Sequence, residues 1–287
     1  MKFIRFTSNE SSVTFSRRRR ENSRNIFKRY FFLIPKRQKF VIAVIILSVG
    51  LFYFQQHLGK SGVLLPFLLA IATEVFMYWA MRKDIKDTSS LQVFVLPFIF
   101  SLAFSLFYFL TPARLIIKAI TTLLYAFGLY SMFLSQNIFT VASIRTIALL
   151  SGARIVSFLL TLVSYFFLTN VIFSLHFPLI PTSLLLLLTS FLLIYHSIWT
   201  YTLEPSLKAY LPWTIGLALC LFEMSLLLWF WPSTPTVLSL FLTGFLYIIV
   251  GLSHVWLDKR LFKSILLEYA WIGIVVFIIF IASTNWL

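Results

Sequence analysis

From Phe40 onward the chain repeats one pattern: an apolar run of about twenty residues, then a short break rich in Gly, Pro or charge. A helix rises about 1.5 Å per residue, so each run matches a hydrocarbon core of about 30 Å. The runs cover 40–56, 62–80, 91–110, 113–135, 152–173, 182–203, 210–230, 236–257 and 265–283. In lipid, every backbone N–H and C=O needs a partner within its own segment, and no alternating strand pattern is present for a barrel. The expected fold is therefore all-α, a polytopic transmembrane bundle of nine membrane-spanning helices.

Composition agrees. The chain is 60% hydrophobic and 11% charged, whereas soluble domains are about 45–50% apolar and about 25% charged. The net charge of +15 would suit nucleic acid, but 12 of the 24 Lys and Arg lie in the first 39 residues and most others fall in the breaks. Charge so placed marks topology rather than a nucleic-acid surface. The lone Cys220 allows no intrachain disulfide and no cysteine metal cluster. It reads as a buried, inert thiol. No metal or cofactor is expected.

With the N-terminus in the cytoplasm and nine crossings, the inner side holds 21 Lys and Arg and the outer side 3. The positive-inside rule thus favours this orientation, with the C-terminus outside. Residues 1–39 read as a largely disordered basic tail, and 26–34 as a short amphipathic turn on the membrane surface. The run Arg17, Arg18, Arg19, Arg20 reads as a tether to anionic lipids or a topology signal. The expected home is the cytoplasmic membrane of a bacterium.

Polar residues inside the runs are the candidate site. An ionised acid at a helix centre costs about 2.5–3.5 kcal/mol. Glu74 and Glu223 must therefore face the bundle, pair with a cation or stay protonated. They read either as a proton or cation site or as interhelical hydrogen bonds. His196, in the sixth run, completes the candidate intramembrane site and is read first as a hydrogen-bonded structural histidine. Leu65-Pro66 precedes Glu74 much as Leu211-Pro212 precedes Glu223, a faint echo of an inverted repeat. Glu268 near Lys263 and Asp258, and Lys118 near Arg114, read as interfacial charge.

Residues 136–151 are too polar to span and too apolar for a free loop, so they are expected to lie along the inner surface or to re-enter the membrane. Arg145 and Arg154 flank this segment and are candidate contacts for anionic headgroups. No phosphate-binding Gly loop and no His-Glu-x-x-His occurs. Ser253 and His254 are adjacent, an arrangement that does not present a serine to its base. No catalytic residue is assigned.

The stretch from Gln136 through Arg145 and Gly152-Ala153-Arg154 into the fifth run resembles a segment of uncharacterised polytopic membrane proteins of small-genome bacteria. That resemblance implies no activity. The functional reading is permease-like handling of a small or lipidic solute, with Glu74 and Glu223 facing one cavity. The alternatives are a membrane-embedded enzyme of lipid or lipid-linked glycan metabolism, and a non-catalytic scaffold or assembly subunit.

The charge pattern makes a direct prediction. In a Cys220→Ser background, single cysteines placed in turns 82–86 and 258–263 should be labelled from the same membrane face. Labelling from opposite faces would contradict the expected topology.

Overall fold

The computed structural model describes residues 35–57, 64–85, 92–111, 114–143, 148–204 and 208–284. The chain divides into two compact units, Met1–Lys39 and Phe40–Leu287. Residues 1–34, with the tetra-arginine run and the expected surface turn, lie outside the described residues, as does Arg145.

Nine helices and no strand occur among the described residues: α1 Lys36–His57, α2 Leu65–Ile85, α3 Gln92–Leu110, α4 Leu115–Ala142, α5 Leu150–Ser174, α6 Leu179–Thr202, α7 Leu211–Trp229, α8 Pro235–Leu257 and α9 Lys263–Ala282. Eight of them, α2 to α9, are long and apolar enough to cross a membrane. The protein is thus an all-α, polytopic membrane protein. Helix α1 has 22 residues, but Lys36, Arg37 and Lys39 begin it and Gln55, Gln56 and His57 end it.

Helices α3 and α5 form the centre. Each is 56% buried over its apolar window, against 6% for α9. Helix α5 packs on α3, α4, α6 and α8, while α3 also touches α2, α4 and α6. The seams are held by hydroxyls and rings. Ser101 Oγ lies 2.9 Å from both Thr73 Oγ1 and Tyr125 OH, joining α2, α3 and α4. Beside this junction Phe100 stacks on Tyr125, centroids 5.9 Å apart. Between α5 and α6, Tyr165 OH meets Ser190 Oγ at 2.9 Å. The serine proton is directed to Leu186 O, so the tyrosine donates. Such bonds average about 0.6 kcal/mol in membrane bundles; they align the helices more than they stabilise them.

Residues 136–142 correct the expectation of a separate surface segment. They continue α4, whose 28 residues span about 42 Å, more than a hydrocarbon core. Polarity misleads here because Gln136 Nε2 and Thr140 Oγ1 have partners inside the protein. Gln136 and Thr140 are fully buried, and Thr140 Oγ1 donates to Gln136 O at 2.8 Å. Cys220 is a second correction. It is exposed, because the buried stripe of α7 runs through Thr214, Ala218, Leu221, Ser225 and Leu228 on another face.

Helix α9 is peripheral: α8 is its chief neighbour, and Phe280 is its one buried residue within the helix. Close approach depends on two glycines of α8, two turns apart. A Cβ on Gly244 would fall 2.8 Å from Val276 Cγ1, and one on Gly251 would fall 2.6 Å from Tyr269 OH. Overpacking of this kind costs about 1–3 kcal/mol. Gly244→Val and Gly251→Val should each lower the thermal unfolding midpoint in detergent. Gly152→Ala, where the new methyl meets nothing within 4 Å, should leave the midpoint unchanged or raise it slightly.

Candidate functional site

The structure does not bring Glu74, His196 and Glu223 together. Glu74 is on α2, which packs against α3 and α4, while Glu223 is on α7, which packs against α6 and α8. Both Glu74 carboxylate oxygens are buried, and no hydrogen-bond partner reaches them among the described residues. Glu223 is exposed, away from the buried stripe of its helix. One acid is therefore inside and the other outside, and the likeness between the two Pro-to-Glu stretches does not extend to packing. His196 is fully buried in α6, with its Nε2 3.1 Å from Gln136 Nε2. As placed, the amide donates, which puts the imidazole proton on Nδ1. That Nδ1, Gln136 Oε1 and Trp199 Nε1 are buried without partners among the described residues.

Around His196 lies a belt of polar residues at one end of the bundle, called here the near end. It is where α4, α6 and α8 finish and α3, α5, α7 and α9 begin. Gln92 Nε2 donates to Tyr195 OH at 3.1 Å, and Ser197 Oγ meets His254 Nε2 at 2.9 Å. Trp213 Nε1 donates to Ser253 Oγ at 3.2 Å. His254 stacks on Tyr201, centroids 3.8 Å apart and 14° from parallel. The sequence offered no reason to single out His254, because its partner is 57 residues away in a different helix.

Arg154 completes the belt by closing α6. The last carbonyls of a helix lack intrahelical partners. Leu203 takes the left-handed conformation, φ 52°, and its N–H bonds Trp199 O at 2.8 Å. Arg154 supplies the next two bonds: Nε to Thr200 O at 3.1 Å and Nη2 to Tyr201 O at 2.8 Å. Its guanidinium lies 4.5 Å from the Tyr201 ring centroid, and Nη1 is 3.9 Å from Asp258 Oδ1. The residue expected as a headgroup contact thus spends two of its three guanidinium nitrogens on helix carbonyls, with the third 3.9 Å from Asp258. Its geometry is that of a helix cap.

The opposite, far end carries a cavity of about 270 Å³ between the α5–α6 and α7–α8 turns. Its walls include Phe173, Phe177, Trp229, Trp231 and Pro232, with His176, Thr182 and Ser233 as polar groups and no charged residue. Each turn is tied down. Trp229 Nε1 donates to Phe177 O at 3.2 Å, and Trp231 Nε1 donates to Thr284 Oγ1 at 2.9 Å, just past α9. Asn170 Nδ2 donates to Thr236 Oγ1 at 3.1 Å, joining the end of α5 to the start of α8. His176 is held at φ 49°, a left-handed backbone that non-glycine residues adopt uncommonly. Its Nδ1 lies 2.8 Å from Ser174 O. A carbonyl only accepts, so Nδ1 carries the proton. Ser233 Oγ is buried without a partner among the described residues. Two further clefts, of about 290 and 500 Å³, flank α9 and are almost wholly apolar. Neither they nor the far-end cavity is lined by Glu74, His196 or Glu223.

The sequence showed the far end only as two breaks with tryptophans at run ends. Antiparallel alternation, which puts both breaks on one side, was the available signal. A family described as "Protein of unknown function (DUF5656)" matches residues 41–283. The chain belongs to the DUF5656 family. No curated protein and no solved structure matches it. In this DUF5656 chain the matched region contains the whole lining of the far-end cavity and the whole near-end belt, while Arg17 to Arg20 fall outside it.

The belt's role can be tested by stability. Arg154→Ala should destabilise the DUF5656 chain in detergent by about 1.5–3 kcal/mol, through loss of charge-assisted bonds to two carbonyls. Arg154→Lys should restore little of this, since an ammonium lacks the planar fork. Asp258→Asn should change little, because Asp258 is 42% exposed and its contact is long.

Proposed function

We propose that this multi-pass membrane protein binds the polar part of a lipidic ligand in its far-end cavity, at the outer surface of a bacterial cytoplasmic membrane. The supporting observation is the cavity itself: two tethered turns hold aromatic walls around a few polar groups, the make-up of small-molecule sites in general. By charge, this end is the outer one, level with lipid headgroups. This is the lipidic branch of a permease-like role, without a conducting path through the middle. A path of that kind would draw on Glu74, His196 and Glu223 together, and their positions on separate helix faces weigh against it. The enzyme reading finds less support, since no carboxylate lines the cavity and Arg154 is engaged as a cap. One observation favours an assembly role as a second reading: α9 is anchored chiefly through α8 and leaves most of its surface free.

Photocrosslinking in native-like bilayers tests the proposal. A lipid with a diazirine beside its headgroup should label peptides from 173–182 and 229–238 above the lipid-facing peptides of α9. Trp231→Ala should reduce that labelling by about tenfold, as expected for losing about 1.4 kcal/mol of binding. Labelling spread evenly over exposed helices would remove the basis of the proposal. A protein partner captured on α9 in stoichiometric amount would favour the assembly reading instead.

A further inference from the structure

We infer that the groove between α8 and α9 takes one acyl chain of an anionic phospholipid from the inner leaflet, with Lys259, Arg260 and Lys263 holding its phosphate at the mouth. The groove is separate from the far-end cavity, at the other end of the bundle, so either site can be lost without the other.

Size and shape set the occupant. The groove is the roomier of the two clefts beside α9, about 500 Å³. Its α8 wall runs from Phe241 through Ile248 to Leu252, and its α9 wall runs from Leu266 through Gly273 to Phe277. On each helix these residues span a rise of about 16 Å. That is the depth of one leaflet, half of a hydrocarbon core of about 30 Å. Spread over this length, the volume gives a mean cross-section of about 30 Å². A helix is about 10–12 Å across and needs roughly three times that area. An acyl chain therefore fits where a helix of a second copy does not.

Charge sets the headgroup. One turn beyond Leu252 on α8 stands Trp256, and one turn before Leu266 on α9 stands Lys263. Trp256 stacks on Trp213 of α7, centroids 5.3 Å apart, and both rings are exposed. Tryptophans so placed mark the headgroup level. The turn between the two walls is fixed: Lys259 N–H bonds Trp256 O at 2.9 Å, and Arg260 N–H bonds Val255 O at 3.0 Å. This is the Schellman pattern, and it holds Lys259 at φ 56°. Lys259, Arg260 and Lys263 are exposed, and among the described residues none of them has a carboxylate within ion-pair reach. Of the two nearby acids, Asp258 lies toward Arg154. Glu268, five residues after Lys263, falls about 140° round α9 and off the groove face. By charge, this end is the inner one, where membranes present anionic lipids. An apolar slot one leaflet deep beneath three unpaired cations matches the two halves of such a lipid.

The test gives the full chain in detergent equal amounts of phosphatidylglycerol and phosphatidylcholine with identical chains, and native mass spectrometry reads which is retained. The expected result is preferential retention of phosphatidylglycerol. Lys259→Gly suits the left-handed backbone and should lower that retention about fivefold, the effect of one cation at the surface. Lys263→Gln should act alike. Ala270→Phe, which puts a ring into the groove, should lower it about tenfold. Arg114→Gln, exposed at the far end, should leave it unchanged. Unaltered thermal unfolding midpoints confirm that the variants fold. Equal retention of the two lipids would overturn the anionic assignment. A phosphatidylglycerol preference that ignores both Lys259→Gly and Ala270→Phe would overturn the site. Dimers dispersed by Ala270→Phe would overturn the lipid occupant in favour of a second copy.

Discussion

Hydrocarbon offers no hydrogen-bond partner, so a polar group inside the bilayer depends on the protein for one. In this chain the constraint organises the whole interior. Serines and threonines on the buried faces return their protons to carbonyls one turn back, as Thr161 does to Ser157 O and Ser239 to Pro235 O. Where a hydroxyl has capacity left over, a neighbouring helix uses it, as at Ser101 and Ser190. Larger polar side chains pair across helices in the same way: Gln136 with His196, Asn170 with Thr236 and His254 with Ser197. The seams between helices are therefore also where polarity is satisfied.

This arrangement separates the two ends of the molecule. At the near end, aromatic rings, a guanidinium and helix carbonyls close on one another, and Arg154 fixes the end of α6 against α5. That is a packing device. At the far end, the two turns are tethered equally well, and the tethers use up the indole N–H groups around a cavity whose lining includes the exposed His176.

Much of the fold was legible in the sequence because hydrophobic length is a local property. The nine apolar runs correspond to the nine helices among the described residues. What was not legible depends on partners remote in sequence. Gln136 to Ala142 looked too polar for a buried helix, since nothing local reveals that Gln136 meets a histidine 60 residues on. Arg154 looked like a free cation for the same reason, its carbonyl partners lying 46 and 47 residues away. Glu74 and Glu223 are alike in sequence setting and unlike in exposure, because the face a helix buries is set by its neighbours. The cavity needed two turns to meet, which alternation allowed but could not shape.

The central claim is that hydrogen-bonding capacity in the middle of the bundle is closed to water while the far end is open. Reactivity of single cysteines, in a Cys220→Ser background, toward a hydrophilic thiol reagent measures this most directly. The account predicts rapid reaction at His176→Cys, and none at Glu74→Cys or His196→Cys in the folded protein. Reaction at both Glu74→Cys and His196→Cys, suppressed by a solute that also protects Glu223→Cys, would show one aqueous path through the bundle and would contradict it.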